Sequence, residues 1–266
     1  MGNSPLLCAL SLEECLKQPG VEAVALATPN QVHTAQAELA LNMGKHVLVE
    51  IPMGLTLADS QRLADLEDRT GLVCMVCHTQ RYMSAQQEIV RRVRADELHL
   101  YRIVTQTYFF LRENTNMFGK PQFWTDELLW HQACHMADFI CWLFDESDIE
   151  AWGQSGPDYP KLGIPMNLTI GMRSKQECLV SSALSFNNHG SITATYRLIG
   201  KGKLMDHENN EIPLSDGGIE TQDWEFFNAI VEGRKPMTSC QTCLPTMAIL
   251  DRIQTSIDGN RAYFSG

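Results

Sequence analysis

Three side chains that could move protons recur along one segment of the chain, namely His131, His135 and Asp138. Residues spaced four and then three apart share one face of a helix, so a helix over 126–144 would present them together. The opposite face is apolar and is expected to meet the core; it comprises Leu129, Ala133, Met136, Ala137, Ile140 and Phe144. The histidine face should therefore point towards solvent or a cleft, where an imidazole can exchange a proton near neutral pH.

The same spacing permits two other interpretations. Two histidines and an aspartate can bind a metal ion, but the segment lacks the glutamate of the H-E-x-x-H motif. We therefore expect no metal. An exposed histidine pair without a role in catalysis is the other alternative.

A second group of polar residues follows two apolar segments that are predicted strands, 23–27 and 46–50. It consists of Thr28, Pro29, Asn30 and His33 after the first strand, and Glu50 and Pro52 at the end of the second. The carboxyl ends of parallel strands meet at the ligand crevice of an open α/β sheet, so Asn30 and His33 are candidates to contact a cofactor ribose. Alternatively, Asn30 only caps the following helix.

The pattern around these residues changes once along the chain. Up to residue 80, predicted helices at 11–18, 31–43 and 56–69 alternate with predicted strands at 23–27, 46–50 and 72–78, which indicates a parallel sheet. Beyond it we predict a helix at 84–95, a strand at 98–110, a loop at 112–123, the helix at 126–144, several strands within 149–206, and helices at 218–232 and 242–257. The predicted domains are thus 1–80 and 81–266.

The predicted fold class is α/β, with an incomplete Rossmann-type parallel sheet domain followed by an α+β domain with an open, mainly antiparallel sheet. A dinucleotide-binding domain normally opens with a G-x-G-x-x-G loop, and no such motif occurs. The chain is therefore expected to enter the fold late. We favour a truncated gene model; a fragment completed by another chain and a true variant with a reshaped sheet edge are the alternatives. Weak cofactor binding by this chain is accordingly expected, because the pyrophosphate site is missing.

Composition narrows the classes of partner. The chain has 266 residues and a net charge of −11, which argues against a nucleic acid or an anionic membrane as the partner. Its nine cysteines are scattered, and no secretory leader is evident, so free thiols and a cytoplasmic location are expected. Cys74, Cys77 and His78 match the C-x-x-C-H haem pattern, but they lie in an apolar strand and are interpreted as buried residues.

Two sequence motifs, taken together, resemble the Gfo/Idh/MocA family of nicotinamide-dependent sugar and polyol oxidoreductases. The first is T-P-N-Q-V-H at 28–33 and the second is G-K-H-V-L-V-E-I-P at 44–52. Segments 78–82, 106–110, 124–138 and 185–188 resemble one branch, which oxidises the cyclic hemiacetal of 4-carboxy-2-hydroxymuconate-6-semialdehyde to 2-pyrone-4,6-dicarboxylate with NADP or NAD. Most of the family has a lysine between Glu50 and Pro52; Ile51 stands there in this chain and in that branch.

The resemblance implies roles for the site residues. The family places an Asp and a His beside substrate and nicotinamide, at positions matched here by His131 and His135. His135 is then the expected base and His131 a substrate-binding or relay group, with Asp138 continuing the same face. Thr28, Pro29, Asn30, His33, Glu50 and Pro52 would line the cofactor side.

The substrate is expected to be a small, carboxylated molecule. Arg81 and Arg112 are candidates to bind its carboxylates, because arginine pairs with carboxylates in a bidentate manner. Tyr108 and Trp124 could form walls around a ring. A homo-oligomer is expected through the open sheet, and a non-catalytic assembly partner is the competing hypothesis.

Overall fold

The computed structural model describes residues 11–115, 118–202, 205–213 and 217–264, without the side chains of 205–213 and 261–264. Its first sheet has three parallel strands that alternate with helices. In chain order these elements are α1 Leu12–Leu16, β1 Ala23–Leu26, α2 His33–Asn42, β2 His46–Val49, α3 Leu57–Thr70 and β3 Cys74–Val76. The strand order is β1-β2-β3, and each neighbouring pair is in parallel register.

Local sequence explains where these helices begin and end. Ser11 and Glu14 form the reciprocal capping box that starts α1, with the Glu14 amide donating to the Ser11 hydroxyl at 3.3 Å. The Thr56 hydroxyl accepts from the Asp59 amide at the start of α3. Gly71 ends α3 with φ of 67°, a left-handed conformation that glycine adopts without steric cost.

The second sheet has six strands in the order β11-β10-β4-β9-β8-β5. The elements involved are α4 Ser84–Arg94, β4 Leu98–Tyr108, α5 Ala133–Phe144, β5 Glu150–Ser155, β6 Asp158–Tyr159, β7 Ile164–Pro165, β8 Asn167–Arg173, β9 Leu179–Ser185, β10 Thr193–Gly202 and β11 Met205–Pro213. Only β4 and β9 pair in parallel, while β6 and β7 form a separate small hairpin. The predicted fold class, a parallel α/β sheet followed by a mainly antiparallel open sheet, is confirmed.

Two closing helices, α6 Gly218–Glu232 and α7 Cys240–Phe264, return to the first sheet. Phe226 and Ala229 of α6 pack against Val73 and Met75 beside β3. The Val76 amide donates to the Thr238 carbonyl at 2.8 Å just before α7. The end of the chain thus covers the sheet formed by its beginning. The division into domains 1–80 and 81–266 stays a prediction.

The helix predicted over 126–144 is not uniform. Leu128–Gln132 forms one wide π-helical turn, and regular α-helix starts only at Ala133. This wide turn changes the spacing of His131 and His135 from the ideal i, i+4 pair on which the shared face was predicted. The predicted apolar face is confirmed, because all six of its residues are buried.

Within the residues that the structure describes, no helix combines the length and the apolarity that crossing a membrane would require.

Candidate active site at the carboxyl edge of the parallel sheet

The ends of β1 and β2 are tied together by His33. Its Nδ1 lies 2.8 Å from the Pro52 carbonyl and its Nε2 lies 2.7 Å from the Thr28 carbonyl. The residue is 1% exposed. His33 therefore holds the two motif segments beside each other. Both of its ring nitrogens face backbone carbonyls, which corrects the prediction that His33 contacts a cofactor.

A cleft of about 360 Å³ opens along this edge. One wall comprises Ala27, Thr28, Pro29, Asn30, His33, Glu50 and Ile51, and the facing wall comprises Gln122, Trp124, Asp126 and His131. The structure thus brings most of the predicted cofactor-side residues opposite Trp124 and His131. Pro52 is buried and adjoins Ile51.

The first wall offers hydrogen-bond acceptors. The Asn30 Oδ1 atom is buried and has no partner among the described residues, and no side-chain bond caps the turn that Asn30 begins. The capping alternative for Asn30 therefore has no bond to support it. Glu50 is exposed beside it. An unpaired amide oxygen and a carboxylate suit hydroxyl donors such as those of a ribose, so this wall fits the nucleoside end of a dinucleotide.

The two candidate histidines differ in exposure. The His131 side chain is 32% exposed, and its Nδ1 lies 3.9 Å from the Asp126 carboxylate. His135 is half-buried, and its Nδ1 is buried without a hydrogen-bond partner among the described residues. Burial, then the charges of His78 and His131, lower the pKa of His135 to about 4. His135 is therefore a neutral imidazole at neutral pH, the protonation state that a base requires.

Arg81 and Asp138 lie in the interior, which corrects their predicted contact with substrate. The Arg81 Nε and Nη2 atoms donate to the two carboxylate oxygens of Asp138 at 2.9 and 2.6 Å. Thr246 donates to Asp138 as well. Burial alone would raise the pKa of Asp138, but Arg81 and then His78 hold it below its usual value. This pair fastens α5 to the segment after β3 instead of binding a ligand.

Arg112 and Tyr108 lie outside the walls of the cleft described above. The Arg112 guanidinium donates to the Leu111 and Phe186 carbonyls and to Asn187, and it stacks on Phe110. These bonds engage the guanidinium nitrogens that were predicted to bind a substrate carboxylate. The reason is topological, because the loop after β4 lies against the end of β9.

A buried cluster raises the question of a metal. Ligand atoms of His78, Asp138 and Cys243 all lie within 4.8 Å of one another. The Arg81 cation already pairs with the Asp138 carboxylate, and burial raises the pKa of the Cys243 thiol. A second cation beside Arg81 would be repelled, so the chemistry of these groups does not favour a metal ion.

Sequence reasoning missed Gln122, Asp126 and His78. Asp126 lies in the irregular segment before the π turn, so helical spacing does not relate it to His131. Gln122 lies in an irregular loop, which carries no periodic signal. His78 was noted only within a haem-like pattern and in the segment 78–82 that resembles the family branch, although an ionisable residue at the carboxyl end of a buried parallel strand is itself a signal for a site.

Two family profiles together match most of the chain. Residues 4–78 match the Gfo/Idh/MocA family, described as an oxidoreductase family with an NAD-binding Rossmann fold. Residues 84–218 match the C-terminal region of bacterial oxidoreductases.

Known relatives agree with these matches. The chain is 37% identical to 4-carboxy-2-hydroxymuconate-6-semialdehyde dehydrogenase of Sphingobium sp. strain NBRC 103272 / SYK-6, over 93% of this chain and 82% of the relative. It is 34% identical to 1-carboxy-3-chloro-3,4-dihydroxycyclohexa-1,5-diene dehydrogenase of Comamonas testosteroni, over 48% of this chain and 33% of the relative.

Solved structures share the fold. GenD2 from gentamicin A biosynthesis, in complex with NAD, has a TM-score of 0.80 at 15% identity, over 95% of this chain and 81% of that one. The WlbA dehydrogenase of Bordetella pertussis, in complex with NADH and UDP-GlcNAcA, has a TM-score of 0.76 at 17% identity, over 94% and 81%.

Proposed function

Because the chain belongs to the Gfo/Idh/MocA family of NAD-dependent oxidoreductases, we propose that it oxidises the cyclic hemiacetal of 4-carboxy-2-hydroxymuconate-6-semialdehyde, or a related sugar-like alcohol. The product of the first reaction is 2-pyrone-4,6-dicarboxylate. The named relative that is 37% identical to the chain supports this choice of substrate. In this proposal NAD or NADP, when bound, supplies the hydride acceptor.

The observation that carries the proposal is a cleft whose two walls present different chemical groups. Asn30 and Glu50 are placed to accept hydrogen bonds from cofactor hydroxyls. Thr28 and Pro29 line the cleft beside them. Trp124 faces them and offers an apolar plane against which a six-membered ring can lie. His131 closes the same wall.

The base in this proposal is His135, with His131 between it and the cleft. His131, which lines the cleft, passes the hydroxyl proton of the substrate to the neutral imidazole of His135 as the carbon–oxygen double bond forms. Asp126, 3.9 Å from His131, is placed to orient that ring. Ile51, which replaces the usual lysine, adds neither a proton nor a charge, so the proton chemistry falls to the histidines.

Carboxylate binding shifts to new residues. Arg81 and Arg112 are engaged elsewhere, so in this proposal Gln122 holds the substrate carboxylate at the cleft. Its side-chain amide is a neutral donor, so we expect weaker binding than a bidentate arginine would give.

The direct experiment combines the purified chain, the semialdehyde, and NAD or NADP, and follows the absorbance of the reduced nicotinamide. Mass spectrometry of the product then identifies the pyrone dicarboxylate. Turnover of that substrate supports the proposal. Turnover only with sugar-like alcohols would select the broader alternative within it.

Calorimetric titration with NAD and NADP addresses the non-catalytic hypothesis. Micromolar binding of either cofactor would exclude a role as an assembly partner alone. Absence of binding by a folded chain would contradict the proposed oxidoreductase.

We also propose that the chain forms a homo-oligomer through the open face of the six-stranded sheet. Ile199, Arg102 and Leu179 are cross-strand neighbours on β10, β4 and β9. All three are exposed. An exposed row with two aliphatic side chains on a broad sheet suits a self-complementary contact.

A further inference from the structure

Helix α6 carries large apolar side chains on two opposite faces. On its inner face, Phe226 and Ala229 pack against Val73 and Met75 beside the parallel sheet. A surface helix normally has one apolar face, which meets the core, and a polar face towards solvent. A second apolar face is therefore a feature that the packing of this chain does not explain.

The outer face of α6 is exposed. Trp224, Phe227 and Val231 are spaced three and then four residues apart, so they form one row along the helix. Their side chains are 60%, 54% and 86% exposed. The rings of Trp224 and Phe227 meet edge to face with centroids 6.5 Å apart, an arrangement that aromatic pairs favour. We call these three residues the outer row. An exposed apolar group of this kind marks an interaction surface.

The outer row has an acidic border. Glu220 precedes Trp224 by four residues and Asp223 precedes Phe227 by four, so each ring has a carboxylate one helical turn away. Neither acidic residue has an ion-pair partner in the part of the chain that the structure describes. The helix itself contains no lysine, arginine or histidine. The charge beside the outer row is thus negative.

The cations that follow α6 are already engaged. Arg234 pairs with Glu225 and Glu232, and Lys235 pairs with Asp68 of α3. A second copy of this helix would therefore place carboxylates against carboxylates, which disfavours association. Charge complementarity instead requires a partner that brings its own positive side chains.

The size of the outer row suits a single helix. A fully covered aromatic side chain buries about 150–250 Å², and both rings here are already partly covered. The row thus offers less than the roughly 800 Å² that each protein buries in a stable complex. Its length from Trp224 to Val231 is about 10 Å, or about two helical turns.

We propose that the outer row of α6 docks a basic amphipathic helix of another protein. Apolar side chains on one face of that helix cover Trp224, Phe227 and Val231, while its lysines or arginines pair with Glu220 and Asp223. The cleft walls described above include no residue of α6. The docking surface therefore does not depend on the proposed reaction.

The test uses a fluorescently labelled synthetic peptide of leucine and lysine, with the leucines on one helical face, and measures its anisotropy as the purified chain is added. We expect micromolar binding. Trp224→Ala and Phe227→Ala should each raise Kd about 10-fold or more, because aromatic anchors dominate small interfaces. The double change Glu220→Gln and Asp223→Asn should raise Kd several-fold and reduce its dependence on salt.

Ile192 provides a matched control. It is a 72% exposed aliphatic residue just before β10, outside α6, so Ile192→Ala should leave Kd unchanged. A peptide with glutamate in place of lysine should not bind. Circular dichroism verifies that each variant is folded. No binding by the wild type, or an equal Kd for the wild type, Trp224→Ala and Phe227→Ala, would overturn the proposal.

Two other occupants are distinguished by further measurements. Sedimentation equilibrium that shows self-association of the wild type, lost in Trp224→Ala, would assign the outer row to a second copy of the chain. Binding to phosphatidylcholine vesicles that is lost in Trp224→Ala would assign it to a lipid surface. Either result would overturn the proposal; an unchanged mass in Trp224→Ala and no vesicle binding are expected.

Discussion

At the residue scale, burial keeps two histidines near the candidate site neutral. His78 and His135 each have a pKa lowered to about 4. The unfolded chain binds protons at these rings below about pH 6.5, whereas the folded chain does not until about pH 4. A depressed pKa in the folded state thus contributes stability above pH 6.5, and this contribution is lost as the pH falls towards 4.

The same low pKa predicts how activity depends on pH. A base with a pKa of about 4 stays unprotonated throughout the neutral range, so kcat should not fall until the pH approaches 4 to 5. His135→Ala should lower kcat about 10²- to 10⁴-fold, the usual contribution of a general base. Steady-state kinetics from pH 4.5 to about 8 provide the measurement. An unchanged kcat in His135→Ala, with a loss in His131→Ala, would transfer the role of base to His131.

The Arg81–Asp138 pair should be a major determinant of stability. Asp138→Asn would leave the Arg81 cation buried without its charge partner, and losing one member of such a pair costs about 3–5 kcal/mol. Glu88→Gln is the matched control, because Glu88 pairs with Arg91 on the exposed surface of α4. Surface pairs contribute about 0–1 kcal/mol. Chemical denaturation of both variants measures the difference, and equal losses would contradict the structural role of the buried pair.

At the element scale, Glu67 joins three segments. It lies on α3 and accepts from the Cys74 amide at the start of β3 and from the Gln241 amide at the start of α7. It is buried, and desolvation raises its pKa to about 7, although the two amides oppose the shift. Burial therefore destabilises the charged carboxylate, and the packing of α3 against β3 and α7 is most stable when Glu67 is protonated.

This raised pKa predicts a decline in stability as the pH rises. A carboxyl group whose pKa is raised from 4.5 to about 7 in the folded state stabilises the fold below pH 4.5 and loses this contribution as the pH passes 7. The loss is on the order of 3 kcal/mol. Glu67→Gln should flatten this part of the profile. Denaturation of both proteins between pH 5 and about 8.5 is the measurement, and parallel profiles would contradict the assignment.

Much of the fold follows from the sequence because its signals are local. The capping box at Ser11, the glycine after α3 and the apolar strands each specify their own element. The π turn at Leu128–Gln132 has no such signal, and neither has the irregular segment before it that contains Asp126. The burial of Arg81 and Asp138 depends on α5 and the segment after β3 meeting, which residue spacing along one helix does not reveal.

At the scale of the whole molecule, the two sheets share one core, and the ends of β1 and β2 face the turn before α5. The open face of the second sheet is free for assembly. Replacing Ile199 and Leu179 with glutamate would put charge into a self-complementary contact, so light scattering should show a smaller mass than for the wild type. Glutamate at the exposed Ala85, on α4 and outside the sheet, serves as a control for added charge. An equal mass for all three proteins would place the contact elsewhere.

The central claim is that a carbon-bound hydrogen of the substrate passes directly to nicotinamide in the cleft between Asn30 and His131. It is tested by supplying the hemiacetal with deuterium on the carbon that bears the hydroxyl group, and analysing the reduced cofactor by mass spectrometry. The account predicts one deuterium in each reduced nicotinamide and its loss from the pyrone product. Product formed without deuterium in the cofactor, or no oxidation by a chain that binds NAD or NADP, would contradict it.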